Sequence, residues 1–363
     1  MKVVKLKEVA NIYDGIHETP NYKDFGVKFV SVEDIKNLYQ SNKYISKLDY
    51  DKLYTIKPEY NDILMTRIGD IGTPAICNKE EPLAYYVSLA LIKPISINTD
   101  YLYFALQSQL FKKESYKRTI HVAFPKKINL SEIGECLIPL PETNLQTKIA
   151  TFLNLYYKKI ELQKKKVEIL EKQKSGIFNH LLINSKDYHT YRVIDIFSIT
   201  RGLVVPKSNL SNIKTDEYIY PTYSSQTSNN GLLGYSKNFL FEKQCLTWTT
   251  DGANAGKVFL RSGKFNCTNV CGVLLEKLEF KGYANEYVEM LLNTLTPNHV
   301  SYVGNPKLMN NVMGSIKFNL PSLAVMKSYS NILAKLTLKI QLEHQKFEAL
   351  EKYKQGLLQK MFI

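Results

Sequence analysis

Two stretches of the chain place apolar residues at alternating steps of three and four. The first runs Leu145, Ile149, Phe152, Tyr156, Ile160, Val167, Leu170, Ile177 and Leu181. The second runs Val325, Tyr329, Ile332, Leu336, Ile340, Phe347, Leu350, Leu357 and Met361. Each set keeps to one face of an α-helix. An extra step of four after Tyr156 and after Leu336 marks a coiled-coil seam with a stutter. Gln163, Lys174, Glu343 and Lys354 fall on the same stripes, so the seam is partly polar. No proline occurs between Pro141 and Pro206, and none follows Pro321. Strong helix formers fill both stretches, and Thr143 with Gln146 offers a capping box. Each helix is predicted to reach ~60 Å at a rise of ~1.5 Å per residue.

The two stripes belong to one repeat. KIELQKKKVEILEKQKSG at 159–176 and KIQLEHQKFEALEKYKQG at 339–356 share 10 of 18 residues at a constant offset of 180. Chance would give about one identity at ~6% background. The match begins at Leu140-Pro141 over Leu320-Pro321. A helix of this kind cannot cover its own stripe. Its partner is either the other copy, packed antiparallel within the chain, or the same helix of a second molecule. Equal length and register favour the first arrangement.

The segments before the helices are related at their edges. VKLKEVANIYDG at 4–15 aligns with YRVIDIFSITRG at 191–202, and Val122-x-x-Pro125-Lys126 aligns with Val303-x-x-Pro306-Lys307. Between these edges the text diverges. Short β-branched and aromatic runs, Gly/Asn/Ser turns and short helices at 101–111 and 285–295 predict α+β globules. The apolar run LAYYVSLALI at 83–92 reads as one buried strand. The layout is a globule over 1–141, a long helix over 142–184, a second globule over 185–318 and a C-terminal helix over 319–363. Two globular α/β domains in a pseudo-twofold arrangement, joined by two long antiparallel coiled-coil helices, are the expected fold. A duplicated frame with unlike interiors suggests one architecture presenting two recognition surfaces.

Composition narrows the function. The 363 residues are 44% apolar and 23% charged, and no apolar run approaches the ~18 residues of a membrane span. The N-terminus lacks a secretory pattern. Cys77, Cys136, Cys245, Cys267 and Cys271 are odd in number and scattered, which argues for a reduced, cytoplasmic chain without disulfides or metal. The net charge of +14 fits a polyanionic partner, or a lysine-rich composition bias.

Catalytic motifs fail on inspection. DGANAGKV at 251–258 has the wrong spacing for a phosphate loop and reads as a hairpin turn with Lys257 at its tip. Asn305-Pro306-Lys307-Leu308 lacks the second proline and the aromatic of an adenine methyltransferase. No GxGxxG, HExxH or GxSxG occurs. A non-enzymatic binding role follows.

The chain resembles the specificity (S) subunit of type I restriction–modification systems. The strings that carry the resemblance are DGIHETPNY at 14–22, GVKFV at 26–30, DILMTRIG at 62–69, IPLP at 138–141 with QTKIA at 146–150, and the terminal LEKYKQGLLQKMFI. The resemblance implies two target-recognition domains, each reading half of a split sequence in double-stranded DNA. It implies helices that act as a ruler and dock two methyltransferase (modification) subunits, with restriction (motor/nuclease) subunits joining them. S-adenosylmethionine, ATP and Mg²⁺ would sit on those partners and no cofactor on this chain. The second helix lacks the Gln that the first has at 146, which implies either weaker docking at that end or docking through other side chains.

On this reading the expected DNA contacts are Gly15, His17, Thr19, Asn21, Tyr22, Arg67, Asp70 and Lys126 in the first globule. In the second they are Arg201, Lys207, Tyr223, Ser225, Gln226, Thr250, Lys257, Asn305 and Lys307. Arg67 and Arg201 suit bidentate reading of guanine, and Gln226 or Asn21 of adenine. Several of these also suit turns or packing. The run KKIELQKKK at 158–166 is either a solvated flank or a phosphate-facing strip. A coiled-coil scaffold without DNA recognition is the competing reading.

Overall fold

The computed structural model describes residues 2–184 and 187–362. The junction at Ser185 and the Ile363 of the terminal string lie outside them. The chain divides into two compact units. One holds residues 1–165 with 345–363, the other residues 166–344, so each long helix belongs half to either unit.

The first unit carries β1 (Lys2–Lys5), β2 (Ala10–Asp14), β3 (Val27–Val30), β4 (Tyr44–Ile45), β5 (Ile63–Thr66), β6 (Pro74–Ile76), β7 (Leu83–Tyr85), β8 (Leu89–Pro94) and β9 (Leu137–Leu140). Its helices are α1 (Lys47–Leu53), α2 (Thr99–Ala105), α3 (Gln109–Arg118), α4 (Leu130–Glu135) and the start of α5 (Thr143–Asn184). The second unit repeats the plan. Its strands are β10 (His189–Arg192), β11 (Phe197–Arg201), β12 (Tyr220–Tyr223), β13 (Leu232–Ser236), β14 (Cys245–Thr249), β15 (Val258–Arg261), β16 (Asn266–Cys267), β17 (Cys271–Glu276) and β18 (Lys317–Leu320). Its helices are α6 (Val193–Ile196), α7 (Glu286–Leu295), α8 (Asn310–Ser315) and the start of α9 (Leu323–Met361).

The sheets show the duplication more plainly than the text does. The four-stranded sheets run β2-β8-β5-β6 and β11-β17-β14-β15. The three-stranded sheets run β4-β3-β7 and β13-β12-β16, each with one parallel pairing, β3 with β7 and β12 with β16. A two-stranded ribbon, β1-β9 or β10-β18, leads into each long helix. The fold is the α+β class expected.

Several local expectations need correcting. The run at 83–92 is two strands in different sheets, because the chain turns at Tyr86–Ser88 with Leu89 N–H donating to the Tyr86 carbonyl at 2.9 Å. The helix expected at 101–111 breaks in two, since Ser108 Oγ caps the second by accepting from Phe111 N–H at 3.2 Å. Gln146 closes no capping box with Thr143. Its side chain is buried, accepting from Asn98 N–H at 3.0 Å and donating to the Pro141 carbonyl at 2.9 Å. It ties helix to globule. Met326, fully buried, holds the equivalent place in α9.

The helix stripes are corrected at their N-terminal ends. Ile149, Ile160, Val167 and Leu170 are buried, and Ile177, Tyr329, Ile340, Phe347, Leu350 and Leu357 are half-buried. Leu145, Phe152, Val325 and Ile332 are exposed. Phe152 is 46% exposed while Leu153 beside it is buried. The buried set there is Gln146, Ala150, Leu153 and, 180 residues on, Met326, Ser330 and Leu333. The reason is a second neighbour. The start of α5 packs on Tyr101 and Phe104 of α2, and the start of α9 on α7, so the inward direction turns by one residue.

Within each unit the helix segments run antiparallel. In the first, Ile149 and Leu153 pack with Leu358 and Phe362, and Tyr156 Oη donates to the Leu350 carbonyl at 3.0 Å. In the second, Lys166 Nζ lies 3.0 Å from the buried Glu343 carboxylate, and Phe178 shares a core with Met326 and Leu333. We predict that Leu153→Ala and Leu333→Ala each lose about 3 kcal/mol of stability, while Phe152→Ala and Ile332→Ala lose under ~0.5 kcal/mol, read by urea denaturation.

Candidate nucleic-acid interface

In the first globule the ends of β2 and β5 meet the loop before α4. Arg67 is 7% exposed. Its Nη1 donates to Asp14 Oδ1, its Nε donates to the Ile128 carbonyl at 3.2 Å, and its backbone N–H bonds the Ser88 carbonyl at 2.9 Å. Asp14 Oδ2 also meets His17 Nε2 at 2.9 Å, and Tyr85 Oη donates to the Asp14 carbonyl at 2.8 Å. Gly69 N–H bonds the Lys126 carbonyl at 2.8 Å. These links gather His17, Asp70 and Lys126 around Arg67, and all three are exposed.

Two expectations change here, at Arg67 and Gly15. Arg67 is poorly placed to read a base: its guanidinium is enclosed, with Nε and Nη1 donating inside the protein. It holds the site together. Gly15 is buried, and a Cβ there would lie 2.5 Å from the Tyr86 backbone, so it is needed for close approach rather than contact. Tyr22 leans on Phe29, with ring centroids 5.6 Å apart, beside the three-stranded sheet. Thr19 and Asn21 are exposed on the loop before it.

The second globule rebuilds the frame with other side chains. Thr250 stands where Arg67 does: its N–H bonds the Val270 carbonyl at 3.1 Å and its carbonyl accepts from Leu308 N–H at 2.9 Å. Its hydroxyl donates to Val270 O at 2.9 Å or Asp251 Oδ2 at 2.6 Å, and it is fully buried, so it is structural and not a contact. Arg201, at the end of β11, takes the place of Asp14. Its Nε donates to Asn310 Oδ1 at 2.9 Å and its Nη2 rests 3.7 Å from Met309 Sδ, leaving the guanidinium half-exposed. Gly202 repeats Gly15, with a Cβ falling 2.0 Å from the Cys267 carbonyl oxygen. Asn305, Lys307 and Lys207 are exposed.

Lys257 is corrected too. It is no hairpin tip but lines a cavity of about 390 Å³ with Lys174 and Glu289 beside α5 and α7. Burial lowers the Lys174 pKa and raises that of Glu289 there. Tyr223, Ser225 and Gln226 are half-buried, and Gln226 Nε2 donates to the Leu232 carbonyl, so adenine reading by Gln226 would first break an internal bond.

Residues the sequence reading missed are the partners. Asp14 and Asn310 hold the two arginines, and Asp14 stood in a quoted motif. Arg261 is buried, stacked 3.6 Å over the Tyr223 ring with Nε on Thr247 Oγ1 at 3.2 Å, and burial lowers its pKa. Nothing in the local text signals it. The five cysteines are free and buried, and burial pushes the thiols of Cys77, Cys136 and Cys245 up to about 12. Among the described residues no cluster of His, Cys, Asp or Glu could hold a metal, and no helix is long and apolar enough to cross a membrane.

Comparison with known proteins decides the family. The family described as type I restriction modification DNA specificity domain matches residues 1–172 and 185–352. The chain belongs to that family. It is a DNA-specificity subunit, recognising DNA without performing chemistry on it. A type I specificity subunit of Mycoplasma pneumoniae is 31% identical over 232 residues, covering 61% of this chain and 82% of its own. The specificity subunit of the type I restriction enzyme MpnII from the same organism is 36% identical over 147 residues, 40% of this chain and 43% of its own. The crystal structure of a type I system S subunit from M. genitalium shares the fold, with a TM-score of 0.66 at 15% identity over 100% of this chain and 96% of that one.

Arg67 and Arg201 should separate experimentally. Arg67→Ala strands Asp14 in a partly buried site and should cost about 3 kcal/mol of stability by urea titration. Arg201→Ala should change stability by less than ~0.5 kcal/mol.

Proposed function

We propose that residues 1–141 and 185–318 are two target-recognition domains, each reading one half of a split, non-palindromic sequence in double-stranded DNA. The helices of 142–184 and 319–363 space them and dock two methyltransferase subunits. The observation that carries this reading is one anchored frame furnished twice with different side chains. At the same structural position the first globule places a locked arginine and the second a buried threonine. The half-exposed arginine of the second stands where the first has an aspartate. Identical frames with unlike contact surfaces are what reading two different half-sites requires. Half-sites about one duplex turn apart, ~34 Å, suit two readers on one face of DNA.

Docking rests on the residues that left the seam. Leu145, Phe152, Leu155, Leu162 and Ile169 are exposed on α5 at heptad-related spacing, and Val325, Ile332 and Leu342 repeat three of them on α9 at the offset of 180. Water would not retain such a stripe on an outer helix face; a partner surface would cover it. S-adenosylmethionine, ATP and Mg²⁺ belong on the methyltransferase and restriction subunits, and the assembly works in the cytoplasm. Along 158–166, Lys165 pairs with Glu161 at 2.6 Å and Lys166 with Glu343 at 3.0 Å, which favours the flank reading for those two lysines.

Arg201→Ala is expected to relax the methylated consensus in one half-site only, seen by mapping methylated adenines in cells that also make the modification subunits. Relaxation in both halves, or in neither, contradicts its role. Lys126→Ala should weaken binding evenly across sequences and reduce the slope of log affinity against log salt by about one. Phe152→Glu with Ile332→Glu should abolish co-purification of the modification subunits while the chain stays folded by circular dichroism.

A further inference from the structure

Each globule presents a short loop whose base is pinned and whose tip is apolar. In the first, Ile120 N–H bonds the Lys127 carbonyl at 2.8 Å, and Ile128 N–H bonds the Arg67 carbonyl at 3.0 Å. In the second, Ser301 and Lys307 exchange both backbone bonds at 2.9 Å, and Gly252 N–H bonds the Pro306 carbonyl at 3.0 Å. The base of each loop is thus tied to the strand end that carries the candidate interface. At their tips Val122 is 97% and Phe124 104% exposed, and Val303 is 93% and Tyr302 69% exposed. Among the described large apolar side chains only Phe124, Val122 and Val303 exceed 92%, with Leu278 at 92% and Phe25 at 84% next.

The neighbours of these tips say what would cover them. Lys126 and Lys127 follow Phe124, and Lys307 follows Val303; all are exposed. An apolar point beside cations fits a polyanion with stacked, apolar planes inside it, where phosphates take the lysines and a base step takes the ring. A protein surface would ask for a broader contiguous apolar patch. Building on the DNA-specificity reading above, we propose that the loop of residues 120–127 is a wedge. It presses Phe124 and Val122 between adjacent base pairs of one half-site, and Tyr302 with Val303 does so in the other. Such wedges unstack a step and make easily deformed sequences cheaper to bind, adding specificity where no side chain reads a base edge. The tips differ at one place: Asn305 occupies the position of Phe124, so the second wedge is blunter and carries a hydrogen-bonding group.

The test uses the chain assembled with its modification subunits and duplexes of the mapped target with 2-aminopurine placed at successive positions. Wild type should raise the fluorescence several-fold at one step in each half-site. Phe124→Ala should abolish the rise in one half-site, leave the other, and weaken binding about tenfold with an unchanged salt slope. Phe124→Leu should restore part of the signal. No rise at any position in a wild-type complex that binds its target overturns the wedge, as does a Phe124→Ala complex indistinguishable from wild type. Loss of the modification subunits from Phe124→Ala with DNA affinity intact would make the tip a protein contact and also overturn it. A wild-type complex with no sequence preference would instead sink the DNA-specificity reading on which the wedge rests.

Discussion

Each long helix must bury one stripe on two neighbours at once. Both of its ends pack against a globule together with the other helix: α5 starts on Tyr101 and Phe104 and ends with Phe178 against Tyr287, while α9 starts on α7 and ends with Phe362 against Tyr101. An α-helix drifts against a strict seven-residue repeat, and the stutter after Tyr156 and Leu336 resets it where the surroundings change. The polar members of the seam fall after that reset. Glu343 is buried and satisfied by Lys166, and Lys354 lies over the Tyr157 ring at 4.9 Å. A slip by one turn would bury that carboxylate without its lysine, at a cost of several kcal/mol. The polar contacts thus fix the register that a purely apolar seam would leave looser.

From that register the rest of the frame follows twice. A two-stranded ribbon delivers the chain into each helix, and the four-stranded sheet sits against the helix start through α2 or α7. The strand ends that carry Asp14 and Arg67, or Arg201 and Thr250, are set by this scaffold. Gly15 and Gly202 let the chain cross the neighbouring backbone at the same place in both copies. The side chains at the strand ends and loop tips differ between the two copies while the scaffold that holds them recurs.

The helices, their offset of 180 and the two-globule layout were legible because periodicity and repetition are local signals. The phase at the helix starts was not, because a seven-residue pattern cannot tell which of two apolar neighbours, Phe152 or Leu153, a globule will cover. The contact residues were the least legible. Arginine, glycine and threonine in polar loops look alike whether they touch DNA or brace the loop. Arg67 and Thr250 brace it, and only the distant partners Asp14, Ile128 and Val270 reveal this. Arg201 differs from Arg67 in the text by nothing obvious, yet its neighbour is a neutral asparagine and its guanidinium stays half-exposed.

Two separable readers on one repeated frame is the central claim, and a methylation map tests it most directly. Residues 1–141 would be exchanged for those of a relative with a different target, and methylated adenines mapped in cells making the hybrid and its modification subunits. The account predicts a bipartite motif in which one block changes while the other block and the gap stay as they were. A motif that changes in both blocks, or one that was never divided, would contradict it.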